Sequence, residues 1–259
     1  MIKLLQGDSA ELLKTFDDAS IDLTVTSPPY DNLRTYNGYT FDFETIAQQL
    51  YRVTKNGGVV VWIVGDATVN GSETGTSFKQ ALYFKEIGFN LHDTMIWNKR
   101  GFSAVGALQT RYAPVFEYMF IFSKGKPKAF NPLKDRKNKQ SGIMRGTIRQ
   151  KDGSTKQMTS NGKLKNEFGQ RFNVWEIYPC MGNRSGHPAP FPESIANDHI
   201  VSWSNEGDIV LDPFLGSGTS GKCAVMLKRN FVGIEISQDY VDIARKRIES
   251  CMIDETTAN

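Results

Sequence analysis

The sequence predicts an α/β protein, an open and mostly parallel sheet with helices on both faces, and three stretches carry that prediction. Residues 59–64 are an unbroken apolar run, the pattern of a strand buried on both faces. Residues 21–25 alternate and are rich in β-branched side chains. They stop at Pro28-Pro29, because neither proline can donate an N–H to a ladder. Residues 209–211 are apolar again and run through Asp212 into a Gly-rich turn, Gly216-Ser217-Gly218-Thr219, that opens a helix. Ligands of such sheets bind beyond the carboxyl ends of the strands. The residues after Val25 and after Leu211 are therefore the first candidates for a site.

Residues 2–5 read as a short strand ending in Gly7-Asp8, with Asp8 or Ser9 capping a helix over 10–16. After Tyr30, the polar and aromatic stretch 31–40, with Leu33, Arg34 and Tyr36, is a loop placed to fold over a substrate. Phe43, Ile46, Leu50 and Val53 recur at helical spacing, with Gly57-Gly58 as the stop. The strand 59–64 ends in Gly65-Asp66, at the same edge as Pro28-Pro29. Residues 70–77 read as a loop, and Phe78, Ala81, Leu82 and Lys85 as a helix stopped near Gly88. Two strands follow, 91–97, leading into Asn98-Lys99-Arg100, and 115–123. In the latter Phe116, Tyr118, Phe120 and Phe122 share one face, which reads as core packing.

Residues 172–178 return to apolar character, and 187–192, with three prolines in six, is stiff and extended. Residues 193–203 form a helix with Ile195, His199, Ile200 and Trp203 on one face, which makes His199 a packing residue. The turn after Asp212 leads to a helix through 228 and a strand over 231–236. Asp239 caps a last helix with Val241, Ala244 and Ile248 inward, and the tail after Cys251 is expected to fray.

The chain has 259 residues, 39% of them hydrophobic, enough for one α/β domain with a substantial insertion. No run is long enough to span a bilayer and no charged-then-apolar leader is present, so a cytoplasmic protein is expected. Cys180, Cys223 and Cys251 are scattered, as are the three histidines, which argues for reduced thiols and against a metal site. Net charge is +3, but residues 124–171 hold fourteen Lys/Arg and three Asp/Glu, leaving 17 basic against 25 acidic residues elsewhere. Low hydrophobicity marks 124–171 as an insertion between 1–123 and 172–250, and its charge is the footprint of nucleic-acid binding.

Thr26-Ser27-Pro28-Pro29-Tyr30 and Asp212-Pro213-Phe214-Leu215-Gly216-Ser217-Gly218-Thr219 together resemble the amino-methylating DNA methyltransferases that use S-adenosylmethionine. That family carries a (Ser/Asp/Asn)-Pro-Pro-Tyr site and an Asp-Pro-Phe-x-Gly-Ser-Gly-Thr loop in one chain. The catalytic motif comes first here, the order of the circularly permuted β group. The resemblance spans roughly 1–30, 55–125 and 170–250. It implies a Rossmann-like methyltransferase fold, circularly permuted, with the basic insertion as target-recognition region and the two chain ends at one edge of the sheet.

The resemblance also implies the cofactor and its contacts. Asp8 would meet the adenine amino group, and His187, Pro190 and Phe191 would close the methionine end. Asp212, Pro213, Phe214, Gly216, Ser217, Gly218 and Thr219 would form the cofactor turn. Glu235, with Ile236 beside it, follows Gly218 at about the spacing at which a Rossmann-type acid meets ribose hydroxyls. A Gly-rich turn can also hold phosphate. No Gly-Lys-Ser/Thr occurs, however, and Asp212 is expected to bring negative charge beside the ligand, which suits a sulfonium cation. The implied partner is double-stranded DNA, with Arg34, Lys99, Arg100, Arg136, Lys137, Lys139 and Arg145 as candidate contacts. A cognate restriction endonuclease and a second copy of the chain are further candidates.

An exocyclic amino group is a poor nucleophile because its lone pair is delocalised into the ring. Acceptors at both amino protons favour a pyramidal nitrogen, and Ser27 Oγ with the Pro28 carbonyl can be those acceptors. Pro29 fixes the direction of that carbonyl, and Tyr30 can stack on a flipped base. This is positioning and electrostatics without a covalent intermediate. A nucleophilic Ser27 would need a Gly-x-Ser-x-Gly elbow and a histidine partner, which the sequence lacks. Pro179-Cys180 is in the wrong context for a 5-carbon cytosine methylase. Within the family, Ser at the first motif position, with Leu33-Arg34-x-Tyr36, favours cytosine N4, and adenine N6 is the alternative. An RNA or protein methyltransferase and an inactive DNA-binding relative are remoter readings. A comparison of DNA with RNA substrates separates the first, and a cofactor titration the second.

Overall fold

The computed structural model describes residues 1–29, 41–101, 110–139, 142–179 and 192–257, with side chains as far as Met252. It divides into two compact units, Met1–Asn131 with Asn173–Asn259, and Pro132–Phe172.

The larger unit is built on an eight-stranded sheet. Its strands are β1 (Ile2–Gln6), β2 (Ile21–Thr26), β3 (Thr54–Val64), β4 (Asn90–Asn98), β5 (Phe116–Ser123), β6 (Val174–Glu176), β7 (Ile209–Asp212) and β8 (Asn230–Glu235). Their order is β1-β8-β7-β2-β3-β5-β4-β6. All but β5 run in one direction, so seven carboxyl ends share an edge. From β7 the chain winds outward through β8, and from β2 it winds the other way through β3. The strand order therefore reverses between β7 and β2, and that is where open α/β sheets form their ligand crevice.

Among the described residues six α-helices flank the sheet: α1 (Ser9–Leu12), α2 (Phe43–Val53), α3 (Thr76–Glu86), α4 (Glu193–Trp203), α5 (Thr219–Met226) and α6 (Gln238–Thr257). Ala10, Ile46, Leu50, Val53, Ala81 and Phe84 close one face over Val60, Trp62, Phe120 and Phe122, all buried. The expected aromatic stripe is core at its inner end, where Phe122 stacks on Phe84 at 4.5 Å, and reaches the surface at Phe116. His199 is fully buried, stacks on Trp175 at 4.5 Å and places Nε2 3.3 Å from Met119 Sδ, a packing role. No helix of the described residues is long and apolar enough to cross a membrane.

β1 pairs with β8, and α6, which follows β8, packs against β1. Met1 sits at the start of β8, its amino group 2.5 Å from Asn230 Oδ1. Thus β1 occupies the place of a strand that would follow α6 in an unpermuted chain, as motif order implied.

Several boundaries differ from the sequence reading. α2 ends at Val53, where Thr54 Oγ1 donates to the Leu50 carbonyl at 2.6 Å, and β3 begins at once. Gly57-Gly58 lies inside β3, at a register shift against β2, rather than stopping the helix. A Cβ on Gly58 would stand 3.0 Å from the Asp22 carbonyl, so close strand approach explains the residue. The stretch 70–77 holds part of a small hairpin, Thr68–Val69 with Ser72–Glu73, and the start of α3. α6 continues to Thr257, past the point where fraying was expected. The second unit starts at Pro132, not at 124. Lys124 Nζ donates to the Tyr51 and Thr54 carbonyls, so the first basic residues of the expected insertion brace the sheet.

The smaller unit is one nested antiparallel ribbon. Arg136–Lys137 pairs with Phe168–Gly169, Ile143 bridges to Leu164, and Thr147–Arg149 pairs with Thr155–Gln157. Residues 132–172 carry eleven Lys/Arg against three Asp/Glu.

Candidate active site

The carboxyl ends of β1, β2, β7 and β8 are tied into one unit by hydrogen bonds, some from the two motifs and some from residues beside them. Thr26 Oγ1, at the end of β2, donates to Asp212 Oδ1, at the end of β7, at 2.7 Å. The Phe214 amide donates to the same oxygen at 3.0 Å, and Ser220 Oγ on α5 donates to Asp212 Oδ2. Ser9 Oγ donates to the Pro213 carbonyl, and the Gly7 amide to the Glu235 carbonyl at 2.9 Å. Glu235 in turn accepts the Gly216 amide at 2.8 Å and the Ser237 amide at 3.0 Å.

Asp212 is 1% exposed, and its carboxylate points into this network. Three donors hold it inward, where it shapes the turn, so its charge acts on a ligand through the turn and not by direct contact. Burial pushes its pKa up to about 6, although the bonds from Ser220, Thr26 and the Phe214 amide pull the other way. Gly218 also has a different reason from the expected one. Its φ is +83° and a Cβ would lie 2.8 Å from Ala244 Cβ, so α6 packing as well as backbone shape demands glycine.

Behind the turn lies a cluster that the sequence reading missed. Arg247 on α6 donates through Nη1 to the Ser217 carbonyl and Oγ, both at 3.2 Å, and to Thr219 Oγ1 at 3.1 Å. Its Nη2 reaches Glu193 Oε1 at 2.6 Å, and Lys222 Nζ meets the same carboxylate at 2.9 and 3.0 Å. Burial pushes Glu193 up, but the bonds from Lys222 and Arg247 outweigh it and hold its carboxyl below the usual range. The cluster joins α4, α5 and α6 to the turn. Arg247 lies between Ala244 and Ile248, both on the inward face, which is the one signal that could have found it.

A profile of DNA methylases matches residues 21–246. The chain is 57% identical over 246 residues, 91% of either chain, to orphan methyltransferase M.BamHII of Bacillus amyloliquefaciens. The chain belongs to the DNA methylase family. Type II methyltransferase M.ScaI of Streptomyces caespitosus is 31% identical, over 96% of this methylase and 82% of M.ScaI. Among solved structures, the cytosine-N4-specific PvuII DNA methyltransferase aligns with a TM-score of 0.69 at 21% identity, covering 97% and 90% of the two chains. The M1.HpyAVI–SAM complex aligns at 0.67 and 24%, covering 96% and 99%. At that identity the two share the fold of the methylase.

The methylase brings Asp8, Ser27, Pro28, Pro29, the 212–219 turn, Glu235 and Ile236 to one edge. Ser27 and Pro29 are half-buried and Pro28 is buried. Asp8 is exposed and caps α1, its Oδ1 accepting the Ala10 amide at 2.7 Å. The Ile236 carbonyl accepts Gln6 Nε2 at 2.9 Å. Tyr30, Arg34, His187, Pro190 and Phe191 lie outside the described residues.

Of the expected DNA contacts, Lys99 is corrected. Its ammonium is 2.6 Å from Glu117, and both side chains are mostly buried, so its charge is committed inside the protein. Arg100 is exposed, with Nε 3.2 Å from Glu176. In the smaller unit Arg136 donates to the Gln170 carbonyl at 2.9 Å and lies over Phe172, bracing the ribbon. Lys137, Lys139 and Arg145 are exposed.

Proposed function

We propose that the methylase is site-specific and transfers a methyl group from S-adenosylmethionine to the N4 amino group of cytosine in double-stranded DNA. The observation that carries this reading is the Thr26–Asp212 hydrogen bond at the reversal of strand order. It sets Ser27-Pro28-Pro29 beside the 212–219 turn, so an acceptor pair for an amino group adjoins a cofactor cradle.

The turn fits a cofactor without phosphates. The amides of Phe214, Leu215, Gly216 and Gly218 are already taken by Asp212, Ile234, Glu235 and Leu215, which leaves no fan of N–H donors for an anion. Glu235 holds one backbone amide on each oxygen and is half-buried, keeping outer lone pairs for ribose hydroxyls. Asp8 is exposed at the neighbouring strand end, in reach of an amino group. Buried and surface carboxylates together suit a cation. When bound, S-adenosylmethionine supplies an electrophilic methyl group on sulfur.

The protein's own task is to prepare the base. Ser27 Oγ and the Pro28 carbonyl accept the two amino protons and localise the nitrogen lone pair, and Pro29 removes the freedom of that carbonyl. The exposed cations of 132–172 neutralise phosphates and hold the duplex. Ser27, rather than Asp or Asn, supports cytosine over adenine.

The test is to incubate the protein with S-adenosylmethionine and either DNA or RNA, digest, and identify the modified nucleoside by mass spectrometry. N4-methylcytosine in DNA is expected. N6-methyladenine alone would overturn the base assignment, and modification confined to RNA would overturn the substrate.

A further inference from the structure

The tip of the basic ribbon presents two different faces. Opposed residues of an antiparallel pair project to the same side and neighbours alternate. The register Thr147↔Gln157, Ile148↔Lys156, Arg149↔Thr155 therefore puts Thr147, Arg149, Thr155 and Gln157 on one face. Ile148 and Lys156 lie on the other. All six are exposed. The side chains of the first four make no hydrogen bond to any described residue, so a full set of donors and acceptors faces outward.

The tip is also preformed. The Gln150 amide donates to the Ser154 carbonyl at 2.7 Å, and Gly153 takes φ +85°. Asp152 Oδ1 accepts the Ser154 amide at 2.9 Å and its hydroxyl at 2.7 Å. Asp152 is the sole acid in 147–157, beside Arg149, Lys151 and Lys156, and its carboxylate is folded onto the turn. Binding thus orders little new backbone.

A solvated hairpin needs only polar residues on both faces. This one instead groups the residue types that read bases. An arginine pairs with guanine O6 and N7, a glutamine with adenine N6 and N7, and threonine methyls meet the thymine methyl. The major groove, about 12 Å wide, admits a two-stranded ribbon, whereas the minor groove is about half as wide. We propose that the 147–157 ribbon enters the major groove of the DNA substrate, with Arg149 and Gln157 reading base edges between the two threonines. Lys151, in the turn, and Lys156, on the opposite face, are left for phosphates. The proposal rests on DNA being the substrate, as argued above.

The test maps methylated positions in a random-sequence plasmid library treated with S-adenosylmethionine and each protein. Wild type is expected to modify one motif. Arg149→Ala should lose selectivity at one G·C position by roughly 10- to 100-fold, and Gln157→Ala at a nearby position. Lys156→Gln should keep the motif and reduce the log K against log[salt] slope by about 0.9. Cofactor binding and melting temperature should match wild type in all three. An unchanged motif and unchanged selectivity in both Arg149→Ala and Gln157→Ala would overturn the proposal.

A second arm uses the wild-type protein alone, on DNA in which guanine is replaced. Loss of methylation with 7-deazaguanine, which lacks the major-groove N7, supports the proposal. Sensitivity only to inosine, which lacks the minor-groove amino group, overturns it. A wild-type protein that methylates no DNA overturns the substrate reading, and this inference with it.

Discussion

Asp212→Asn separates what the cofactor turn needs for folding from what it needs for binding. In an unfolded chain Asp212 ionises near 3.8, whereas in the folded protein burial holds its proton to about pH 6. Between those values the native state binds more protons than the unfolded state, so stability falls as pH rises through the window and is level above it. A shift of about two units corresponds to roughly 3 kcal/mol of lost stability at neutral pH. Asparagine has the same shape and no charge to bury. Its Oδ1 can accept from Thr26 Oγ1 and the Phe214 amide, while its Nδ2 donates to Ser220 Oγ, whose hydroxyl turns to accept. The second Nδ2 hydrogen and the Ser220 hydroxyl hydrogen then need new acceptors, which offsets part of the gain from removing the buried charge.

The Asp212→Asn variant is therefore predicted to be more stable than wild type at pH 7.5 by about 1–3 kcal/mol. That is several degrees in Tm for a chain of this size. Thermal unfolding without cofactor, followed from pH 4.5 to 8, should show the wild-type curve falling toward pH 6 and the variant curve nearly flat there. The charge is retained for ligand binding, so the Kd for S-adenosylmethionine should rise severalfold in the variant at pH 7.5. A variant that melts below wild type at pH 7.5, or that keeps the wild-type slope, would refute the reasoning.

Ser27→Ala removes one of the two amino-proton acceptors and should lower kcat by roughly 100-fold, the scale of one oriented hydrogen bond at a reacting group. Cofactor Kd should stay within about twofold, and an unchanged kcat would exclude the acceptor role. Lys137→Gln, Lys139→Gln and Arg145→Gln together should lower the salt slope of DNA binding by up to about 2.7, about 0.9 per phosphate contact. An unchanged slope counts against the basic unit as the DNA-holding surface. Arg136 is left in place because it braces the ribbon. Arg247→Met keeps the apolar stem but releases Ser217, Thr219 and Glu193, and should weaken cofactor binding roughly tenfold, about 1.4 kcal/mol, within the usual cost of lost charged hydrogen bonds. Saturating cofactor should restore kcat to near wild type. Weak binding with a kcat that stays low would assign Arg247 to the chemical step instead.

Much of this architecture could be read from residues alone, for identifiable reasons. Residues 59–64 declared a doubly buried strand because no polar residue interrupts them. Residues 193–203 matched α4 at both ends because prolines precede the helix and Ile195, His199 and Trp203 repeat at helical spacing. Boundaries failed where a side chain did what glycine was expected to do. Thr54 caps α2 through its own hydroxyl, and composition could not show that Lys124 and Lys128 belong to the body of the sheet rather than to the insertion. At the site, the motifs located the strand ends but not what joins them. Thr26, Ser9 and Ser220 look like ordinary polar residues in sequence, and only the pairing of β2 with β7 brings Thr26 against Asp212. Arg247 sits 28 residues beyond Thr219, on a helix whose exposed face is also rich in arginine and lysine. Only its place between the inward residues Ala244 and Ile248 sets it apart.

The central claim is that two motifs nearly two hundred residues apart form one methyl-transfer site. Ultraviolet cross-linking of S-adenosylmethionine labelled in its methyl group, followed by tryptic peptide mapping, tests it most directly. Label should fall on the peptides covering 15–34 and 185–222, which carry Ser27 and the 212–219 turn, and excess S-adenosylhomocysteine should abolish it. Label confined to residues 132–172, or label that S-adenosylhomocysteine does not displace, would contradict the account.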